Sequence, residues 1–311
     1  MKTLIFMPNW MGDFIMALSV ILRMEPGRRE HTTLLAPQWL APLSRTLSRL
    51  TAIDYDRERA DRRRLALRAV REREFDKVCL LPYSFSSAWF AFRAGIHSRR
   101  GLAKDGRGFL LTERLPRSAR DYTRHITYEY ASVLETEPAP PHGWEGLPIA
   151  ADEKYRGYIA VCPGATFGPA KQWPYFSRLI ELLNGERIVL LGRVGDSSGI
   201  ETAARGNGGI VDLTGRTSLP QAAAIIAAAR AVVANDSGLM HLAGFLGTPV
   251  VGIFGSTSPD WTRPLGKRSV VLYNRRPCSP CFRPTCRYGH YECLRSVQTQ
   301  NVAHTLAGVM S

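Results

Sequence analysis

No apolar run in this chain of 311 residues approaches the roughly 20 needed to cross a bilayer, so no membrane-spanning helix is expected. The opening Met1-Lys2-Thr3-Leu4-Ile5-Phe6 resembles a secretion signal, but its apolar stretch breaks at Pro8-Asn9 and no small-residue cleavage site follows. It reads as a first strand, and the protein as cytoplasmic. Neither half of the chain carries G-x-G-x-x-G after its opening strand. Pro8-Asn9-Trp10-Met11-Gly12-Asp13 stands there in the first half and Pro163-Gly164-Ala165-Thr166-Phe167-Gly168 in the second. That absence argues against a nicotinamide-dependent oxidoreductase. G-x-x-x-x-G-K-[ST] is missing as well, which argues against a P-loop nucleotidase. Internal repeats and low-complexity tracts are also absent, so neither a solenoid nor a disordered chain is expected.

Acidic residues are under-represented: 27 Asp and Glu face 41 Lys and Arg, a net charge of +14. The excess is spread, with 24 basic against 17 acidic residues in 1–150 and 17 against 10 in the remainder. Such a balance points to anionic company: nucleic acid, an anionic membrane face or a phosphorylated substrate. The stretch Arg57 to Arg73 looks like a nucleic-acid arm. Glu58, Asp61, Glu72 and Glu74 punctuate it, several at helical spacing, and it reads as a solvated helix face. Arg93, Arg99, Arg100, Lys104, Arg107, Arg114, Arg117, Arg120 and Arg124 are offset only by Asp105, Glu113 and Asp121. That segment is the better candidate for holding an anionic acceptor.

Cysteine is scarce, and its six positions need two explanations. Cys79 and Cys162 fall in apolar strand patterns and read as buried, reduced thiols. Cys278, Cys281, Cys286 and Cys293 form C-x2-C-x4-C-x6-C in a loop rich in proline and arginine. Four thiols suit a structural, tetrahedral zinc site, with His290 able to replace one ligand. A redox pair and plain loop thiols are the alternatives.

Strand and helix patterns alternate throughout. Strands are expected at 2–7, 32–36 and 76–82, then at 158–162, 187–192, 209–213, 231–235 and 250–254. Helices are expected at 13–23, 38–49, 60–73 and 85–94, then at about 174–184, 219–230, 238–246 and 298–310. This alternation implies parallel sheets covered on both faces. The proline-rich stretch Glu135 to Asp152 reads as a linker, giving two Rossmann-like α/β domains, 1–150 and 151–311, facing each other across a cleft. The last helix is free to pack back on the first domain.

Three segments carry the chemistry. At the start of the last quarter of the chain, a strand ending at Ala234 leads into Asn235-Asp236-Ser237-Gly238 and an apolar helix, with His241 one turn along. A helix N-terminus with a glycine attracts a phosphate through its unpaired N–H groups and its dipole; an ordinary N-cap is the competing reading. The second segment, Cys162 to Pro174, is a glycine- and proline-rich loop offering one hydroxyl, Thr166, and one cation, Lys171. It suits a diphosphate as well as a plain turn with an exposed lysine. The third is the turn Pro8 to Gly12 with Asp13 opening a helix. The carboxylate either caps that helix or sits where α/β folds place their ligands.

Together with Leu81-Pro82-Tyr83-Ser84-Phe85-Ser86-Ser87-Ala88 and Ser258-Pro259-Asp260, these segments resemble, in order, the ADP-heptose:lipopolysaccharide heptosyltransferases, and most closely their type II branch. The resemblance implies a GT-B glycosyltransferase that moves heptose, with inversion and without a catalytic metal, from ADP-heptose to the first heptose of the lipopolysaccharide inner core. It implies Asp13 as general base and Lys171 and Thr166 on the sugar-nucleotide diphosphate. It also implies Asp236, Ser237, Gly238 and His241 around the phosphates and the donor sugar. Where the type I branch has two adjacent hydroxyls in the donor loop, this chain has only Thr166 followed by Phe167, which favours type II. A sibling with another acceptor or another nucleotide sugar is the alternative. The spread positive charge suits a phosphorylated acceptor and peripheral contact with the anionic inner membrane face, without nucleic acid as a partner.

Overall fold

A computed structural model describes residues 1–116, 122–200 and 209–311. Two compact units divide the chain, Met1–Ala139 and Pro140–Ser311, the division falling inside the proline-rich stretch.

The first unit is a six-stranded, wholly parallel sheet: β1 (Thr3–Phe6), β2 (Thr32–Pro37), β3 (Thr51–Tyr55), β4 (Lys77–Leu80), β5 (Ser98–Leu102) and β6 (Glu113–Leu115). Their order across the sheet is β3-β2-β1-β4-β5-β6. Helices Met11–Ile21, Ala41–Ser48, Ala60–Glu72, Phe85–Arg93 and Ile126–Leu134 cover it. The central strands β1 and β4 are buried at every residue, as a sheet covered on both faces requires. The helix Ala60–Glu72 buries only Ala66 and Val70, so the arginine-rich stretch is indeed a solvated helix face.

The second unit repeats the plan with β7 (Ile159–Cys162), β8 (Ile188–Leu190), β9 (Ile210–Asp212), β10 (Ala231–Asn235), β11 (Val250–Ile253) and β12 (Ser269–Leu272). Its order is β12-β11-β10-β7-β8-β9. Counted from its own first strand, each sheet therefore runs 3-2-1-4-5-6, the dinucleotide-fold order. Its ligand crevice lies beyond the carboxyl ends of the two strands where the winding reverses, β1 and β4 or β7 and β10. Cys79 and Cys162, on two of those strands, are about 1% exposed, and burial pushes both thiols up to about 12.

Sequence reasoning missed β3, β5, β6, β12 and the helix Ile126–Leu134. It also misread part of the arginine-rich acceptor segment. Arg99 donates to the carbonyls of Leu110 and Ile96, both at 2.6 Å. Arg100 reaches Glu113 at 3.0 Å and the carbonyls of Ser132 and Val133. These two side chains fasten the edge of the sheet and are engaged by the protein itself. Arg107 is wholly buried and donates to the carbonyls of Leu102 and Pro82 and to Ser87 Oγ. Burial pulls it down to about 10, which leaves it charged at neutral pH. Arg117 and Arg120 lie outside the described residues.

Arg107 thus ties the loop after β4 to the end of β5. Arg107→Met leaves those carbonyls unpaired in a dry interior and is expected to lower stability by about 3 kcal/mol, measured by urea denaturation.

Candidate active site

Four of the five segments singled out in the sequence follow a switch-point strand, and Ser258–Asp260 follows β11. Asp13 follows β1, Leu81–Ala88 follows β4, the loop 163–174 follows β7 and Asp236 follows β10. Asn235, the last residue of β10, is wholly buried and closes this corner of the second unit. Its Oδ1 accepts the Trp173 N–H at 3.0 Å, and its Nδ2 donates to the Pro163 carbonyl at 2.6 Å. One side chain therefore holds both ends of the loop 163–174. Asn235→Leu keeps the branched shape of the side chain and removes both bonds. An expected loss of about 3 kcal/mol should appear as a lower urea midpoint at unchanged slope.

Asp236 is 3% exposed, and its carboxylate gathers three groups. Lys171 Nζ lies 2.5 Å from Oδ2, Thr257 Oγ1 donates to the same oxygen at 2.5 Å, and His241 Nε2 lies 3.5 Å from Oδ1. Burial by itself pushes this carboxyl up. Lys171 and His241 outweigh that and hold it well below the usual carboxylate range, so it stays ionised. Lys171 also lies 5.0 Å from the centre of the Phe167 ring. The sequence had grouped Lys171 with Asp236 and His241; Thr257, just beyond the neighbouring strand β11, was missed.

Ser237 is the extended N-cap of the helix Gly238–Leu246, and its side chain makes no capping bond. The helix ends at Gly247, whose φ of 84° is the left-handed C-cap favoured by glycine. Ser237 Oγ, Ser256 Oγ and His241 Nδ1 are buried without a hydrogen-bond partner among the described residues. Polar atoms are seldom left so without a reason, and a polar ligand at the helix N-terminus supplies one. Thr166 sits exposed on the loop 163–174.

In the first unit, the helix after β1 begins at Met11, two residues earlier than expected. Asp13 is therefore not the cap: Trp10 holds that position, and Asp13 stands in the first turn, where a carboxylate complements the helix dipole. It is half-buried. After β4, the Tyr83 hydroxyl donates to the buried Glu129 carboxylate, and Arg107 braces the same loop from below.

Residues 62–292 match the family model for glycosyltransferase family 9 (heptosyltransferase). The chain belongs to that family. This glycosyltransferase is 31% identical over its whole length to lipopolysaccharide heptosyltransferase 2 of Escherichia coli K12, covering 99% of that protein. It is 32% identical to lipooligosaccharide heptosyltransferase 2 of Haemophilus ducreyi, with 88% of each chain covered. It superposes on the solved E. coli ADP-heptose lipopolysaccharide heptosyltransferase II with a TM-score of 0.81 at 30% identity, covering 100% of this chain and 98% of that one. The two Rossmann-like units are those of the GT-B class.

The cysteine-rich segment of the glycosyltransferase turns out to brace the loop 163–174. The Ala170 N–H donates to the Pro284 carbonyl at 2.9 Å, and the Ala170 carbonyl accepts the Ser256 N–H. The Ser256 carbonyl in turn accepts the N–H groups of Cys281 and Phe282. Gly168, at φ 137°, lies so close that a Cβ would come within 2.6 Å of the Pro284 oxygen. Among the described residues, no three His, Cys, Asp or Glu side chains are placed to hold a metal ion. Burial, followed by the nearby thiols of Cys281, Cys278 and Cys286, pushes the Cys293 thiol up. Burial works the same way on Cys286, but the N–H groups of Tyr291, Tyr288, Gly289 and His290 prevail and lower it. No helix among the described residues is long and apolar enough to cross a membrane.

Proposed function

We propose that this glycosyltransferase transfers L-glycero-D-manno-heptose from ADP-heptose, with inversion, to the first heptose of the lipopolysaccharide inner core. The unit Met1–Ala139 takes the acceptor in this reading, and Pro140–Ser311 the donor. The observation that carries the donor half is the buried Lys171–Asp236 pair beside the uncapped helix N-terminus. A lysine has three N–H donors, so it can keep Asp236 and still reach a diphosphate oxygen. The N-terminal N–H groups of the helix Gly238–Leu246, with Ser237 Oγ and His241, meet the remaining phosphate and sugar oxygens. Thr166 closes on the ligand from the loop. With these charges and dipoles in place, the departing ADP needs no divalent cation.

In the chemical step the acceptor hydroxyl oxygen attacks the anomeric carbon, the carbon–oxygen bond to the diphosphate breaks, and the hydroxyl proton passes to the Asp13 carboxylate. The acceptor lies on an anionic membrane, and peripheral contact of the basic enzyme with its cytoplasmic face belongs to the same reading. The role assigned to the four cysteines is structural. A zinc ion there would tie the bracing loop together and leave no open position for chemistry.

Purified protein incubated with ADP-heptose, EDTA and lipopolysaccharide truncated after its first heptose is expected to release ADP and add one heptose to the acceptor, read by mass spectrometry. Tight ADP binding without transfer would overturn the acceptor or the sugar and keep the donor site. Metal analysis of the same preparation settles the zinc: about one ion per chain is expected if the four sulfurs close on it.

A further inference from the structure

The helix Phe85–Arg93 is apolar on two sides. Inward, Ser87, Ala88, Phe90 and Ala91 are buried, with the Phe90 ring edge-on to Phe6 and Tyr55. Outward, at i, i+4 and i+7, stand Phe85, Trp89 and Phe92, which are 43%, 45% and 48% exposed. Phe85 and Trp89 stack at 6.4 Å and Trp89 and Phe92 at 5.6 Å, while Phe109, 68% exposed, lies 6.0 Å from Phe85. The fold needs only the inner face, and a contiguous exposed aromatic patch marks a contact surface.

The charge around it selects the partner. Arg100 is taken up by Glu113 and Arg107 is buried, which leaves Arg93 and Arg99 at the C-terminal end of this helix. The Arg99 guanidinium lies 5.5 Å over the Phe92 ring, fixed there by the carbonyls of Ile96, His97 and Leu110. Arg93 ends the helix, and its carbonyl accepts from Arg71, which brings a third cation to the same end. A second copy of this chain would set these cations against their own kind. A surface of anionic headgroups over acyl chains matches both features: it takes the rings at its boundary and the guanidiniums at its charge.

We infer that the outward face of the helix Phe85–Arg93, together with Phe109, seats the enzyme on an anionic phospholipid surface. This names the contact for the membrane-facing reading above and rests on it. The ring stack is preformed, so binding immobilises few additional side chains, and the guanidiniums make it salt-dependent.

The test is co-sedimentation with vesicles of phosphatidylethanolamine and phosphatidylglycerol, against vesicles of phosphatidylcholine alone. Wild type is expected to pellet with the first and not the second, and to be released by salt. The double variant Trp89→Ser/Phe92→Ser is expected to bind at least about tenfold more weakly, as is Arg93→Glu. Leu182→Ser, which alters an exposed apolar residue of the second unit, is expected to bind as wild type does. Circular dichroism and melting temperature confirm that each variant is folded. Equal binding to both vesicle types overturns the inference. So does undiminished binding by the double variant, or a wild-type dimer in solution that this variant abolishes. With an acceptor stripped of its acyl chains, the double variant should transfer heptose at the wild-type rate. Failure of wild type itself in that assay counts against the heptosyl reading and leaves the vesicle result standing.

Discussion

Lys171→Ala is expected to cut turnover by about 100-fold or more and to weaken ADP binding along with it. The lysine is the cation assigned to the diphosphate in the proposed reading, and it lies closer to Asp236 than His241 does. Its removal leaves a carboxylate that is 3% exposed with Thr257 and His241 still beside it. Breaking one side of such a pair costs about 3 kcal/mol, so the variant should also unfold at lower urea concentration.

The pH dependence separates this stability effect from a general loss of packing. In wild type the Asp236 carboxyl is depressed, so its contribution is present above the ordinary carboxylate value and lost as pH falls through the folded one. In the variant the same burial penalises the charged form without Lys171 to offset it. The stability gap between the two proteins should therefore be widest at neutral pH and narrow as pH falls through the raised value of the Asp236 carboxyl in the variant. A gap that does not change with pH would place the damage elsewhere. Unchanged ADP affinity would remove Lys171 from the diphosphate.

Asp13→Asn is expected to behave differently. Turnover should fall by about 1,000-fold, the scale of a lost general base, while ADP binding measured by calorimetry stays near wild type. The carboxylate stands in the first turn of the helix Met11–Ile21, where it complements the helix dipole by about 0.5 kcal/mol. A folded, ADP-binding, inactive protein is thus the predicted phenotype. Near-normal rates would take Asp13 out of the mechanism, and lost ADP affinity would mean that it serves the donor.

The strands most plainly legible in the sequence are those buried on both faces, though the half-buried edge strand Ile210–Asp212 was read as well. Strands such as Val232-Val233-Ala234 announce themselves because every side chain must be apolar. The strands that were missed lie toward the margins. Ser98–Leu102 carries Arg99 and Arg100, and Ser269–Leu272 is four residues long and mostly half-buried. Their apolar signal is diluted, and their place is fixed by pairing with neighbours already in the sheet. In the site, Lys171, Asp236 and His241 came together as the motifs suggested. Thr257 had no local signature; its signal is its place after β11, at the same end of the sheet as Asp236. Arg107 misled for the opposite reason. A formal positive charge looks like a surface cation until its partners are seen to be backbone carbonyls in the interior.

The loop 163–174 depends on chain that comes far later. Its Trp173 indole donates to the Val297 carbonyl, and its Ala170 N–H is matched only once Pro284 is in place. On the ribosome, β7 and Lys171 emerge more than a hundred residues before those partners do. The nascent chain can complete its central strands during elongation, but this corner of the second unit must wait for Pro284 and Val297. A chain cut short just before Pro284 would therefore keep every strand of both sheets and lack the two backbone partners that hold the loop 163–174 in place.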